Sequence, residues 1–149
     1  MFQKLFRTSN DLTLTVVRLV LGIVFFMHGA QLVLGWFGGY GYTGSMHFFT
    51  QGMGVPAPFA FLAIMAQFLG GIGLIVGLLS RIAAFGIAMD MLVAIFTVHI
   101  KVGFFMNWYG MQKGEGYEYH LLALALCLIV FVKGSGAASI DGVISKGKP

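Results

Sequence analysis

The sequence predicts an all-α membrane protein, a polytopic four-helix up-down bundle with both termini cytoplasmic, and three observations lead there. Of its 149 residues, 58% are hydrophobic and only 9% are charged, against about 25% charged residues in a soluble domain. The apolar residues gather into four runs comparable to the roughly 20 residues that cross a hydrocarbon core. Lysine and arginine near the ends of those runs favour one side. A single membrane domain, residues 1–149, accounts for the whole chain.

The first span is expected at about 12–35, with Asn10 or Asp11 as its helix cap. Lys4 and Arg7 ahead of it resemble a signal-peptide start, but no small-residue cleavage site follows, so the segment reads as retained. The second span, about 57–79, starts at Pro56-Ala57-Pro58, where proline suits a first helical turn. Ser80-Arg81 forms a short turn, the third span runs over about 82–100, and the fourth over about 117–132. Short connections make neighbouring helices antiparallel.

Lys4, Arg7, Arg81, Lys133, Lys146 and Lys148 fall on one side, against Lys101 and Lys113 on the other, so the richer side is cytoplasmic. The setting this implies is the inner (plasma) membrane. The outer loops carry Trp36, Phe37, Tyr40, Tyr42, Phe48 and Phe49, then Phe104, Phe105, Trp108 and Tyr109. Aromatic rings favour the headgroup level, so these loops lie in the outer interface, with a short helix over Thr43 to Gln51.

Several function classes drop out. The net charge of +4 comes from scattered residues with no basic stripe, which excludes a nucleic-acid partner. Cys127 is the only cysteine, so there is no internal disulfide, CxxC pair or c-type haem attachment. Gly39 to Gly44 spells GxGxxG, but it follows a membrane helix and lacks the strand that a dinucleotide fold requires. Gly70, Gly71, Gly73 and Gly77 include a GxxxG spacing and read as helix packing.

The functional content lies in polar residues within the spans, each costing roughly 2.5–3.5 kcal/mol to insert if charged. Arg18 and Asp90 each lie about two turns from the cytoplasmic start of a span and are expected to form a structural ion pair. His28, Gln31, His99, Glu118 and His120 fall in the outer third, with Gln67 nearer the middle. Together they suit a quinone pocket: the carbonyl oxygens want donors, and the ring and tail want an apolar wall. His28, Gln31, Gln67, His99 and His120 are the candidate binding residues, and His28, His99 and Glu118 the candidate catalytic ones. Helical angles direct Asp90 and His99 to opposite faces, and Glu118 and His120 similarly diverge, so not all can converge. Haem b, held by His28 with His99 or His120, ranks behind quinone. No metal is expected, because no HxxxH or ExxH spacing is present.

The stretches Arg18-Leu19-Val20-Leu21-Gly22, His28-Gly29-Ala30-Gln31, Gly35 to Gly39, Gly52 to Pro58, Gln67 to Gly71, Phe96 to His99, Gly103-Phe104-Phe105, Gly116 to Tyr119 and Ser139-Ile140-Asp141 together resemble the DoxX family of small membrane proteins. The resemblance implies a four-helix membrane bundle associated with electron transfer. Relatives include a subunit of an archaeal thiosulfate:quinone oxidoreductase and proteins linked to quinone or catechol stress and to thiol-redox partners. Leu32 replaces a lysine common after the HGxQ run, and Gln67 replaces a common glutamate, so any ion pair between those positions is missing here.

Three readings follow. In the first, the protein is a quinone-linked oxidoreductase subunit that takes electrons from a partner subunit. In the second it is a non-catalytic anchor or stabilising subunit of a larger complex. The third, small-molecule or lipid transport, ranks lowest because no discontinuous helix pair or strong repeat is present. Expected partners are membrane lipid and other protein subunits or further copies of the chain.

Overall fold

A computed structural model describes residues 3–146; of the counted basic residues, Lys148 and the side chains of Lys4 and Lys146 lie outside the description. Among the described residues the protein is all-α. The elements are α1 (Gln3–Phe6), α2 (Leu12–Leu34), a 3-10 turn at Trp36–Gly38, α3 (Gly41–His47) running into a π-helical turn at Phe48–Gly52, α4 (Ala57–Val76), α5 (Ser80–Thr97), a 3-10 turn at His99–Lys101, α6 (Glu118–Lys133) and α7 (Ile140–Lys146). Three helices, α2, α4 and α5, are long and apolar enough to cross a membrane. The fourth, α6, has 16 residues, about 24 Å at 1.5 Å per residue.

Helix ends follow local chemistry. Asp11 caps α2, its carboxylate accepting from Thr13 N at 2.7 Å and Leu14 N at 3.3 Å, while Gly35 ends it in the left-handed conformation at φ 70°. Pro56 precedes α4 and Gly77 ends it at φ 71°. The turn before α5 is Gly77–Leu79, three residues earlier than the sequence suggested, and α5 starts at Ser80. That shift places Leu79, at φ 52°, in a region that costs a branched side chain about 1–2 kcal/mol.

The long helices pack in a ring, α2 against α4, α4 against α5, α5 against α6 and α6 against α2. Leu21, Phe25, Leu74, Ala84, Ile87, Met91, Ala123, Cys127 and Val130 form the core between them. The tightest seam joins α2 to α4. A Cβ on Gly29 would sit 2.4 Å from Phe68 Cα, and one on Gly71 would sit 2.5 Å from Phe26 N. The GxxxG pair is not this seam: Gly77 is a helix cap, and a Cβ on Gly73 would meet Leu78 O of its own turn at 3.0 Å and Ala83 Cβ of α5 at 3.9 Å.

At the end of the bundle that carries the start of α2 and the end of α6, the segment after α6 folds back as a clasp. Asp141 accepts from Leu79 N at 2.8 Å and Ser80 N at 3.1 Å, and from Ser135 Oγ at 2.5 Å. The carboxylate thus caps α5 from another part of the chain and holds the strained Leu79 in place. Arg18, 1% exposed, donates to Ser135 O at 2.8 Å, Ile75 O at 2.7 Å, Ala138 O at 3.2 Å and Leu74 O. Arg81 donates to Phe131 O, to Val132 O at 2.8 Å and to Arg7 O at 2.9 Å. Each arginine therefore satisfies carbonyls that a helix C-terminus leaves open, Arg18 for α4 and Arg81 for α6.

The expected Arg18–Asp90 pair does not form. Arg18 is spent on carbonyls, with Asp141 as the carboxylate acting on it, and Asp90 accepts from Gln67 Nε2 at 2.6 Å across α4 and α5. Equal depth along two spans was not enough, because α2 packs on α4 and α6 while Asp90 is turned toward α4.

Candidate functional site

At the opposite end of the bundle the third span is shorter than its apolar run. Helix α5 stops at Thr97, and His99 stands in the following 3-10 turn. This break frees the His99 ring from the α5 face opposite Asp90 and turns it onto α6. Its centroid lies 4.1 Å from that of His120, with 43° between the planes. His99 Nδ1 lies 2.7 Å from Glu115 O; a carbonyl only accepts, so Nδ1 carries the hydrogen and the neutral ring offers Nε2 as an acceptor.

His120 lies in the first turn of α6 and is 6% exposed. Its Nδ1 is buried and has no hydrogen-bond partner among the described residues. Tyr119 precedes it, with ring centroids 5.5 Å apart, and its hydroxyl oxygen is likewise buried and unpartnered. On the other side of Tyr119 is His28 of α2, at 6.4 Å, and His28 in turn meets Phe25 of the core at 6.5 Å. The result is a row of rings, His28–Tyr119–His120–His99, crossing from α2 over α6 to the end of α5. Exposure falls from exposed His28 through half-buried Tyr119 to buried His120.

The other sequence candidates stand beside this row in different contacts. Gln31 Nε2 donates to Phe37 O at 3.3 Å, tying α2 to the first loop. Glu118 Oε2 accepts from Met106 N at 3.1 Å, and Glu115 Oε2 from Asn107 N at 2.7 Å. With Tyr117 N donating to Gly103 O and Glu118 N to Phe104 O, the second loop is folded against the start of α6, which is what carries Glu115 to His99. Gln67 is paired with Asp90, further into the bundle. The structure thus brings His99 and His120 into direct contact and joins His28 to them through Tyr119. A separate open groove of about 530 Å³ lies on α3 and its π turn, lined by Tyr40, Gly44, His47, Phe48, Gln51 and Gly52.

Sequence reasoning passed over Tyr119, because a tyrosine at the outer end of a span reads first as an interfacial anchor. Its position between Glu118 and His120 was the available signal. Asp141 and Ser135 were passed over too, since they lie beyond the last apolar run, although Ser139-Ile140-Asp141 is among the stretches that carried the resemblance.

Comparison with known proteins adds an independent line. The family model described as DoxX matches residues 13–100, which holds α2, α4 and α5 and ends before α6. A relative from Bacillus subtilis (strain 168), named "Putative oxidoreductase CatD", is 27% identical over 140 residues, covering 94% of this chain and 92% of its own. No solved structure matches. The match over most of the chain, with three apolar helices of spanning length, places this protein in the DoxX family of membrane proteins.

Proposed function

We propose that the protein is the membrane-embedded component of a redox system and holds a quinone headgroup against His120 and His99, with His28 on the approach to them. The observation that carries this reading is the buried, unpartnered Nδ1 of His120 at the centre of the ring row. Buried polar atoms almost always have partners, so such an orphan points to a group that the chain itself does not supply. The relative's designation as an oxidoreductase supports the same direction.

A quinone supplies a two-electron, two-proton couple when bound. His120 offers one ring nitrogen to a carbonyl or hydroxyl oxygen, and His99, fixed by Glu115 O, offers Nε2 on the neighbouring ring. Exposed His28 marks the lateral access from lipid. Gln31 and Glu118 hold the two outer loops over the site. Haem b suits the arrangement less well: the Tyr119 ring stands between His28 and His120, where a macrocycle would have to lie. A lone buried Cys127 is no dithiol relay, and in this reading the electrons come from another subunit.

The same proposal includes four membrane crossings, with α6 as the fourth, both termini on the cytoplasmic side of the plasma membrane, and the ring row near the outer leaflet. The arginines at the clasp end and the aromatic outer loops support that orientation. A second reading, a non-catalytic anchor for a larger complex, is favoured by one set of contacts: Gln31, Gln67 and Glu118 all make bonds internal to the fold.

The test is solvent extraction and mass spectrometry of protein purified from its own membrane in mild detergent, for wild type and His120→Gln. Stoichiometric quinone in the wild type, reduced about tenfold or more in the variant, is the expected result. Wild-type protein that carries only bulk lipid together with stoichiometric partner polypeptides overturns the quinone reading and establishes the anchor.

A further inference from the structure

We infer that Tyr119 is a second hydrogen-bonding residue of the same site, its hydroxyl donating to the oxygen of the ligand that His120 meets; this rests on the quinone reading above. The inference starts from a contradiction in packing. A residue half-buried against the bundle core is served equally well by phenylalanine unless its hydroxyl has something to bind. Here the oxygen is buried and has no partner among the described residues. The Cys127 thiol, two turns further along α6, makes no hydrogen bond to it.

Position decides what the hydroxyl is for. Tyr119 stands between exposed His28, 6.4 Å away, and buried His120, 5.5 Å away. A flat ligand that travels from the lipid face to His120 passes along the Tyr119 ring, and these two adjacent rings, 5.5 Å apart, each carry an orphan atom. A phenolic O–H is a donor at neutral pH, complementary to a carbonyl oxygen, whereas His120 Nδ1 can donate or accept according to tautomer. The pair fits a small aromatic or quinonoid ring bearing an oxygen substituent. An aliphatic chain without one leaves both atoms unsatisfied.

The orphan hydroxyl also predicts an unusual combination of effects. Removing an unsatisfied buried hydroxyl relieves its desolvation, so Tyr119→Phe is expected to unfold at a temperature equal to or above that of wild type in the absence of ligand. The same change removes a ligand contact, so affinity for a short-chain ubiquinone analogue is expected to fall about five- to tenfold, with a smaller quinone-induced rise in unfolding temperature.

Both quantities are measured on the full chain in detergent, beside wild type and His120→Gln. Stability kept and affinity lost in Tyr119→Phe is the supporting result. Unchanged affinity in Tyr119→Phe with loss in His120→Gln overturns this inference alone. A clear drop in the ligand-free unfolding temperature also overturns it, because the hydroxyl then serves the fold. Absence of binding by the wild type overturns this inference and the quinone reading together.

Discussion

At the scale of single residues, membrane polar groups divide here into those whose every valence is spent on the fold and those with atoms left over. Asp141 belongs to the first kind. Its carboxylate meets two backbone N–H groups and the Ser135 hydroxyl and lies beside the Arg18 network. Asp141→Ala strands the two backbone donors, leaves the Ser135 hydroxyl only that of Ser80 at 2.9 Å, and removes the carboxylate that balances Arg18. Such losses in a buried network total about 3 kcal/mol or more, and thermal unfolding in detergent should show a marked fall, with Asp141→Asn intermediate. The sequence made Arg18 conspicuous as a cation in an apolar run, but its partners are carbonyls, and carbonyls carry no sequence signal. That is why a carboxylate at matching depth, Asp90, looked like the partner, although it is bonded to Gln67.

At the scale of helices, glycine pairs decide how closely the spans approach. Gly70 and Gly71 are neighbours in sequence but differ in what an added methyl would meet. On Gly71 it runs into the backbone of Phe26 at 2.5 Å, whereas on Gly70 it touches the flexible Ile87 side chain at 3.4 Å. Gly71→Ala is expected to cost about 1–3 kcal/mol by forcing α2 and α4 apart, and Gly70→Ala should be close to neutral in the same unfolding assay. Helix existence was readable from the apolar runs, and the starts of α2 at Asn10 or Asp11 and of α4 at Pro56-Ala57-Pro58 were legible as local chemistry. The α4–α5 turn was misplaced because Leu79 adopts a left-handed backbone that its own side chain disfavours. Only the distant Asp141 explains that conformation. The end of α5 was misplaced for a related reason: the run Phe96 to Ile100 is apolar enough to continue a span, yet His99 leaves the helix to reach Glu115 and His120.

At the scale of the whole molecule, polarity is segregated between the two ends of one apolar bundle. The clasp end is closed by arginines on carbonyls, and the loop end holds the row of rings with its unpartnered atoms. The proposed orientation makes a direct prediction. In a Cys127→Ala background, a cysteine at Lys113 should react with a membrane-impermeant maleimide on intact cells, and one at Ser145 only after permeabilisation. Labelling of both from the same side would show that α6 does not cross or that the termini are split. The class of fold was legible because solvent preference is summed over the chain. The site was legible only in part: His28, His99 and His120 stand out as ionisable groups in apolar surroundings, but their order in space depends on the kink after Thr97 and on Tyr119 between them.

The clasp has a consequence for biosynthesis. Arg18 enters the bilayer with the first helix, when the carbonyls of Leu74, Ile75, Ser135 and Ala138 have not yet been translated. Until then its charge has only water, headgroups or the insertion machinery for company. Two of its four acceptors arrive with α4 and two with the segment after α6. Assembly therefore completes late, when the strap behind α6 emerges from the ribosome. A chain stalled before Ser135 carries an exposed intramembrane cation, a feature by which a quality-control protease could tell an unfinished molecule from a finished one.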